Sequence, residues 1–190
     1  GIDLLGTLAA FERVLEPGLA GKIVAHAAAN GRSALRIEPF SPELRDAFYR
    51  LNEAWLRKYF YVEEIDHRVL SEPEREILQP GGTILFAMLG DEAVGTCALL
   101  PEADGVYELT KMAVDEQRQG LGIGRALLEA AIAEFRRRGG QRLFLETNSK
   151  LVPAVRLYES MGFEHQPTIK PGSHYARADV YMVWRAPPVT

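Results

Sequence analysis

The 190-residue chain contains a single cysteine, Cys97. One thiol cannot close an internal disulfide, which excludes a disulfide-stapled secreted scaffold and fits a reducing, cytoplasmic setting. No apolar run approaches the roughly 18 residues that span a bilayer, and no signal-peptide pattern opens the sequence, so no membrane partner is expected. Basic residues are not in excess: 22 Lys and Arg stand against 26 Asp and Glu, a formal charge of −4. That balance argues against nucleic acid as a partner. His26, His67, His165 and His174 lack metal-ligand spacing, so no metal is expected. Repeats and low-complexity tracts are also missing. The chain opens on Gly1 rather than Met, which fits a processed form or a piece of a longer protein.

What is present is globular in composition, 47% hydrophobic and 25% charged, enough for one well-cored domain with a small extension. Residues 1–32 read as that extension. Leu4, Leu5, Leu8, Phe11 and Leu15 recur at helical spacing, Glu16-Pro17-Gly18 interrupts, and a second run stops at Asn30-Gly31. This apolar stripe is expected to cover the domain or a second subunit, so a homodimer is one outcome the sequence allows. Residues 33–186 form the main domain, and 187–190 a tail.

Within the domain, "ALRIEPF" reads as a strand. Ser41 as cap and Pro42 in the first turn open a long helix carrying Phe48, Leu51, Asn52, Trp55 and Tyr59. Ser71 to Glu74 reads as a capping box before a shorter helix. "TILFAML", "AVGTCALL" and "VYELTKMAV" are strands joined at Gly90-Asp91 and Asp104-Gly105, hence antiparallel neighbours. A helix from about Arg125 to Arg138 ends at Gly139-Gly140, and the strand "RLFLETN" after it implies a parallel crossover. "LVPAVRLYESMGF" is a short helix closed by Gly162, and "ADVYMVW" a last strand. The expected class is α/β of the α+β kind: a mixed, mostly antiparallel sheet with helices on both faces.

One segment asks for a ligand. "DEQRQGLGIGRALL" places Gly120, Gly122 and Gly124 at alternate positions just before a helix. Glycines feeding a helix N-terminus expose main-chain N–H groups beside the positive end of the helix dipole, which suits a phosphate. A bare strand-to-helix turn is the alternative, although one glycine would serve it. A dinucleotide site would make Glu146 the ribose-binding acid. However, the spacing is G-x-G-x-G, and Asp115 to Gln119 separate the strand from the first glycine. No G-x-x-x-x-G-K-[ST] run occurs either.

Gln117-Arg118-Gln119-Gly120-Leu121-Gly122 resembles the Q/R-x-x-G-x-G/A signature of the GNAT acetyltransferases. The likeness extends from about Ser33 to Arg185, through "ELTKMAV", "LFLETN" and the A-x-x-L-Y-x-x-x-G-F run from Ala154 to Phe163. It implies a GNAT fold and acetyl-CoA as co-substrate. The segment Gln117, Arg118, Gln119, Gly120, Leu121, Gly122, Ile123, Gly124 and Arg125 would cradle the pyrophosphate. Main-chain groups near Met112, Ala113 and Val114 would pair with the pantetheine arm and polarise the thioester carbonyl.

The resemblance also assigns candidate roles. Tyr158 resembles the tyrosine that protonates the leaving thiolate, and it would also touch the cofactor; otherwise it is an amphipathic surface tyrosine. Asn148 resembles a residue that binds cofactor or orients the site, against a reading as a cap or turn residue. Glu108 is the candidate base, against a solvated strand carboxylate. In an undistorted strand Glu108, Thr110 and Met112 share a face, so the acid would look into a cleft floored by Met112. Cys97 reads as a small buried hydrophobe. Acceptor contacts are expected from Trp55, Tyr59 and Tyr175, with Tyr61, Glu63, Glu64, His174 and Arg177 nearby. The expected activity is transfer of acetyl from acetyl-CoA to a small-molecule or peptide amine by direct attack. The alternative is a non-catalytic acyl-CoA sensor within a larger regulatory protein; a Rossmann oxidoreductase stands third.

Overall fold

The computed structural model describes residues 34–186. The helices expected over residues 1–32 and the tail 187–190 lie outside the described residues. The chain runs β1 (Leu35–Pro39), a 3₁₀ turn (Pro42–Leu44), α1 (Arg45–Tyr59), α2 (Glu64–Ser71) and a π-helical turn (Glu74–Leu78). It continues through β2 (Thr83–Leu89), β3 (Glu92–Ala103), β4 (Val106–Val114), a 3₁₀ turn (Glu116–Arg118) and α3 (Ile123–Arg137). The rest is β5 (Arg142–Thr147), α4 (Val152–Ser160), β6 (Phe163–His165) and β7 (Val180–Trp184).

The seven strands form one sheet in the order β1-β2-β3-β4-β5-β7-β6. The sheet is mixed and mostly antiparallel as expected, since only β4 and β5 pair in parallel. On one face Leu127, Leu128, Ala131 and Phe135 of α3 pack with Val94, Cys97, Leu99, Leu143 and Leu145. On the other, Phe48, Leu51 and Leu56 of α1, with Leu70 and Ile77, cover Ile84, Phe86, Ala98 and Ala113. Because both faces are covered, β2 and β3 are apolar at nearly every position instead of alternating.

Several local expectations change. Ser41 is extended and makes no capping hydrogen bond, because the 3₁₀ turn at Pro42 separates it from α1. Ser71 ends α2 rather than opening a helix, and the capping box belongs to Glu63 and Asp66, whose side chains each accept the other's main-chain N–H. The three-residue β6 escapes sequence reading, being shorter than any periodicity can mark. β7, last in sequence, then inserts between β5 and β6.

The most consequential change lies in β4. Thr96 pairs with Ala113 and Ala98 with Thr110, so two steps along β3 face three along β4. The extra residue is Lys111, which takes φ 51, left-handed for a residue with a side chain. This bulge reverses the alternation of the strand. Glu108 and Thr110 keep to the face opposite Leu109, whereas Met112 and Val114 turn to pack with Leu109 in the α3-side core. The expectation that Glu108, Thr110 and Met112 share a face therefore fails, since it assumed a regular pleat.

Candidate active site

β4 and β5 pair only from Val106 with Arg142 to Glu108 with Phe144. Beyond that point β5 continues against β7 as far as Thr147, while the bulge carries β4 away. The sheet opens into a cleft that encloses about 90 Å³. That is below the roughly 300–1,000 Å³ of sites that engulf a drug-sized ligand, so only the ends of larger molecules could enter. Glu108, Met112 and Glu146 line it from the split strands, Asn148 from just past the end of β5, Tyr158 from α4, and Trp55 from α1. Glu108 and Met112 reach one cleft from opposite sheet faces because the cleft passes through the sheet.

Glu108 is the strongly perturbed group here. Burial, then the neighbouring negative charge of Glu146, pushes its carboxyl up to about 7. Tyr158 is 8% exposed, with its hydroxyl 3.8 Å from the Met112 sulfur and its ring against Phe163. Burial raises its phenol above the ordinary value, so the hydroxyl keeps its proton at neutral pH. Cys97 is buried outright, and desolvation pushes its thiol up to about 12, which leaves it inert.

The other wall carries buried ions. Asp66 accepts from Lys111 Nζ at 2.7 Å and from both terminal nitrogens of Arg177 at 2.7 and 3.0 Å. Burial alone would raise the Asp66 carboxyl, but the Arg177 hydrogen bonds and the Lys111 charge hold it below the usual carboxylate value. Tyr175 lies between the cations, its ring 4.8 Å from Lys111 Nζ and 5.0 Å from the Arg177 guanidinium. Arg177 belongs to the strap of residues 166–179 between β6 and β7. Asn148 holds that strap by donating from Nδ2 to the Arg177 carbonyl at 2.6 Å, while its Oδ1 accepts from the Lys150 N–H at 2.9 Å.

The glycine segment forms a separate feature at the start of α3. Asp115 accepts the Gln117 N–H at 2.9 Å and fixes the turn. Gly120 and Gly122 take φ 77 and 81, and a Cβ on either would meet nothing within 4 Å. Gly122 caps α3 without a side-chain bond, and the first turn contains no acidic residue. The first helical bond runs from the Ala126 N–H to the Gly122 carbonyl at 3.0 Å. The N–H groups of Ile123, Gly124 and Arg125 thus lack intrahelical partners at the positive end of the dipole. Gly124 has a different reason to be glycine, because a Cβ there would press on Leu157 Cδ2 at 3.2 Å. Arg118 reaches Glu92 at 3.3 Å and Arg125 the Ser160 hydroxyl at 3.0 Å, so both basic side chains flank the loop.

The Acetyltransferase (GNAT) family model matches residues 38–163, which span the split sheet, the loop and α4. The chain belongs to the GNAT family. Among curated relatives, the [ribosomal protein bS18]-alanine N-acetyltransferase of Escherichia coli K12 is 45% identical over 62 residues, 33% of this chain and 41% of that protein. The chain spans less than half the length of the first curated relatives it matches. A solved GNAT-family acetyltransferase from Staphylococcus aureus Mu50 superposes with a TM-score of 0.73 at 20% identity, covering 80% of this chain and 98% of that one. The PaiA N-acetyltransferase of Thermoplasma acidophilum, solved with coenzyme A, gives a TM-score of 0.63 at 18% identity, covering 80% and 99%. These likenesses establish the GNAT fold.

Within that GNAT frame the sequence-predicted residues divide. Glu108, Met112, Asn148, Tyr158, Trp55 and Tyr175 meet at the cleft. Gln117 through Arg125 lie at the start of α3, and Ala113 and Val114 follow the bulge. Tyr59 is 38% exposed and stacks on Trp55 at 5.6 Å outside the cleft lining. Tyr61, Glu64 and His174 are exposed. Asp66 and Lys111 were not foreseen, and Glu146 entered only as a ribose ligand. A lysine inside the strand "ELTKMAV" was the one available signal. Among the described residues no cluster of His, Cys, Asp and Glu could hold a metal, and no helix is long and apolar enough to cross a membrane.

Proposed function

We propose that the protein is an N-acetyltransferase that moves acetyl from acetyl-CoA to an amine by direct attack. The observation that carries this reading is the split between β4 and β5, which opens one cleft to a half-buried carboxyl with pKa about 7, Glu108, and a buried phenol, Tyr158. Names among the relatives, such as the E. coli ribosomal-protein acetyltransferase, support the reaction class.

The loop from Gln117 to Arg125 fits a diphosphate. It offers main-chain N–H groups, a helix dipole, two flanking arginines and no Cβ at Gly120 or Gly122 to hold an anion away. When bound, acetyl-CoA supplies the acyl group as an activated thioester. N–H groups of Met112 to Val114, past the bulge, are the candidate donors to its carbonyl oxygen.

An alkyl ammonium of pKa ~10.4 is neutral only about one part in 2,500 at pH 7, a penalty of ~4.6 kcal/mol. Glu108, poised near neutrality, accepts the proton that frees the nitrogen lone pair. As the C–N bond forms and the C–S bond breaks, the nitrogen gives up its second proton to solvent, and Tyr158 donates its proton to the sulfur and is reprotonated from solvent. The balance is ammonium plus thioester giving amide, CoA thiol and one proton. Glu146 raises the Glu108 pKa and attracts the incoming cation.

Thiol release over a panel of amines tests the proposal. The chain's one cysteine is buried, so a thiol reagent reads CoA alone in the folded protein. Acetyl-CoA binding without thiol release from any amine would make the protein a sensor instead.

A further inference from the structure

The buried ions on the second wall of the cleft do not match donor for donor. Asp66 is wholly buried and receives four hydrogen-bond donors: Lys111 Nζ, two from Arg177, and the Glu63 N–H at 3.2 Å. Two carboxylate oxygens accept about four donors, so its capacity is filled. Glu63 takes one further bond from Arg177 at 2.9 Å. A lysine ammonium carries three N–H groups and a guanidinium five. Among the described residues Lys111 places one of them and Arg177 three. Donors remain on both cations, and both residues line the cleft.

A clip that merely ties the strap to α2 would be complete with Arg177, Asp66 and Glu63. Lys111 adds the second positive charge, which balances Asp66 and Glu63 together with Arg177, and it packs on the Tyr175 ring of the strap. Its side chain is 5% exposed, and its backbone is held in a left-handed conformation that L residues avoid. The bulge of β4 against β3 imposes that conformation, and it leaves Lys111 on the second wall of the cleft. Asp66 and the Tyr175 ring thus hold two cations at fixed positions without exhausting them. Glu108 and Glu146 stand on the split strands of the same cleft, which therefore has acidic groups on one wall and spare cationic donors on another.

We propose that Lys111 and Arg177 form a carboxylate receptor, so that the acceptor is a small zwitterion of the amino-acid class. Its ammonium faces Glu108 and Glu146, and its carboxylate takes the spare N–H groups of Lys111 and Arg177. This rests on the acetyl-transfer reading and narrows its substrate. Lys111 is the specificity-determining residue: it contacts the carboxylate and does not touch the reacting nitrogen.

The test uses the full chain with acetyl-CoA and the common L-amino acids, each paired with its amide and its decarboxylated amine. Rates are compared at equal concentrations of neutral amine. A charge-assisted pair predicts that kcat/KM for the favoured amino acid exceeds that of its amide by about 10- to 100-fold. Lys111→Met should remove most of that preference through the acceptor KM, with the acetyl-CoA KM unchanged, and Lys111→Arg should restore part of it. Should Lys111→Met fail to fold, the wild-type preference and Lys111→Arg still decide. An amide or plain amine used as well as its amino acid, or a preference that survives Lys111→Met, would overturn the receptor. If no amine releases thiol, thermal shifts of the CoA-loaded protein with amino acids replace turnover. A carboxylate-dependent shift would keep the receptor and sink acetyl transfer, and no shift with any amino acid would sink the receptor.

Discussion

Replacing Glu108 by Gln keeps the size of the side chain while removing its charge, and two independent measurements follow. The folded-state pKa of about 7 stands above the ordinary 4.5 because burial, then Glu146, opposes ionisation. Between these values the unfolded chain has already lost a proton that the folded chain still holds. The stability linked to Glu108 is therefore fully present below pH 4.5 and is lost as pH rises through 7. The loss amounts to about 2–3 kcal/mol, allowing for the partial solvent access of the cleft. Glu108→Gln escapes it. The variant should melt close to wild type at pH 4.5 and about 5–10 °C higher at pH 8. Its kcat at pH 7 should fall by about 10²–10⁴, with the deficit shrinking as pH rises and more amine arrives neutral. Calorimetry across pH and steady-state thiol release read the two effects separately. A variant with wild-type kcat at pH 7, or with melting temperatures that track wild type at every pH, would refute the reasoning.

Other perturbations separate the remaining groups. Glu146→Gln should move the ascending limb of the wild-type pH–rate profile to lower pH, because the charge that helps raise Glu108 is gone; a collapse of kcat instead would make Glu146 the proton acceptor. Tyr158→Phe keeps the ring against Phe163 and should lower kcat by about 10–10³ while leaving the acetyl-CoA KM unchanged. Full kcat where chemistry limits the rate would reduce Tyr158 to packing. Gly122→Ala and Gly139→Ala impose comparable backbone strain, since both glycines have positive φ and open space at Cβ. Only Gly122→Ala should weaken CoA binding in calorimetry, and equal affinity in the two would remove the phosphate role of the loop. Cys97 should react with thiol reagents only on unfolding, so rapid labelling of the native protein would contradict its burial.

Much of this protein is set by local pattern. β2 and β4 begin and end where the sequence places them, at Thr83–Leu89 and Val106–Val114, since Gly82 and Gly90 bound the first and Gly105 and Asp115 the second. The glycine segment and the Ala154–Phe163 run were legible because backbone conformation and helix spacing depend on near neighbours in the chain. That sufficed to assign the family and to bring Glu108 and Tyr158 into view. Tertiary structure decided the rest. The bulge at Lys111 arises where β4 must pair with β3 on one side and part from β5 on the other, a conflict between distant strands that no alternation in "VYELTKMAV" reveals. Met112 was assigned to the wrong face for that reason. Asp66 read as one acid in an acidic stretch until Lys111 and Arg177, 45 and 111 positions away, met it in the interior. Ion pairing depends on charges that folding brings close and removes from water, so the second wall of the cleft exists only in three dimensions.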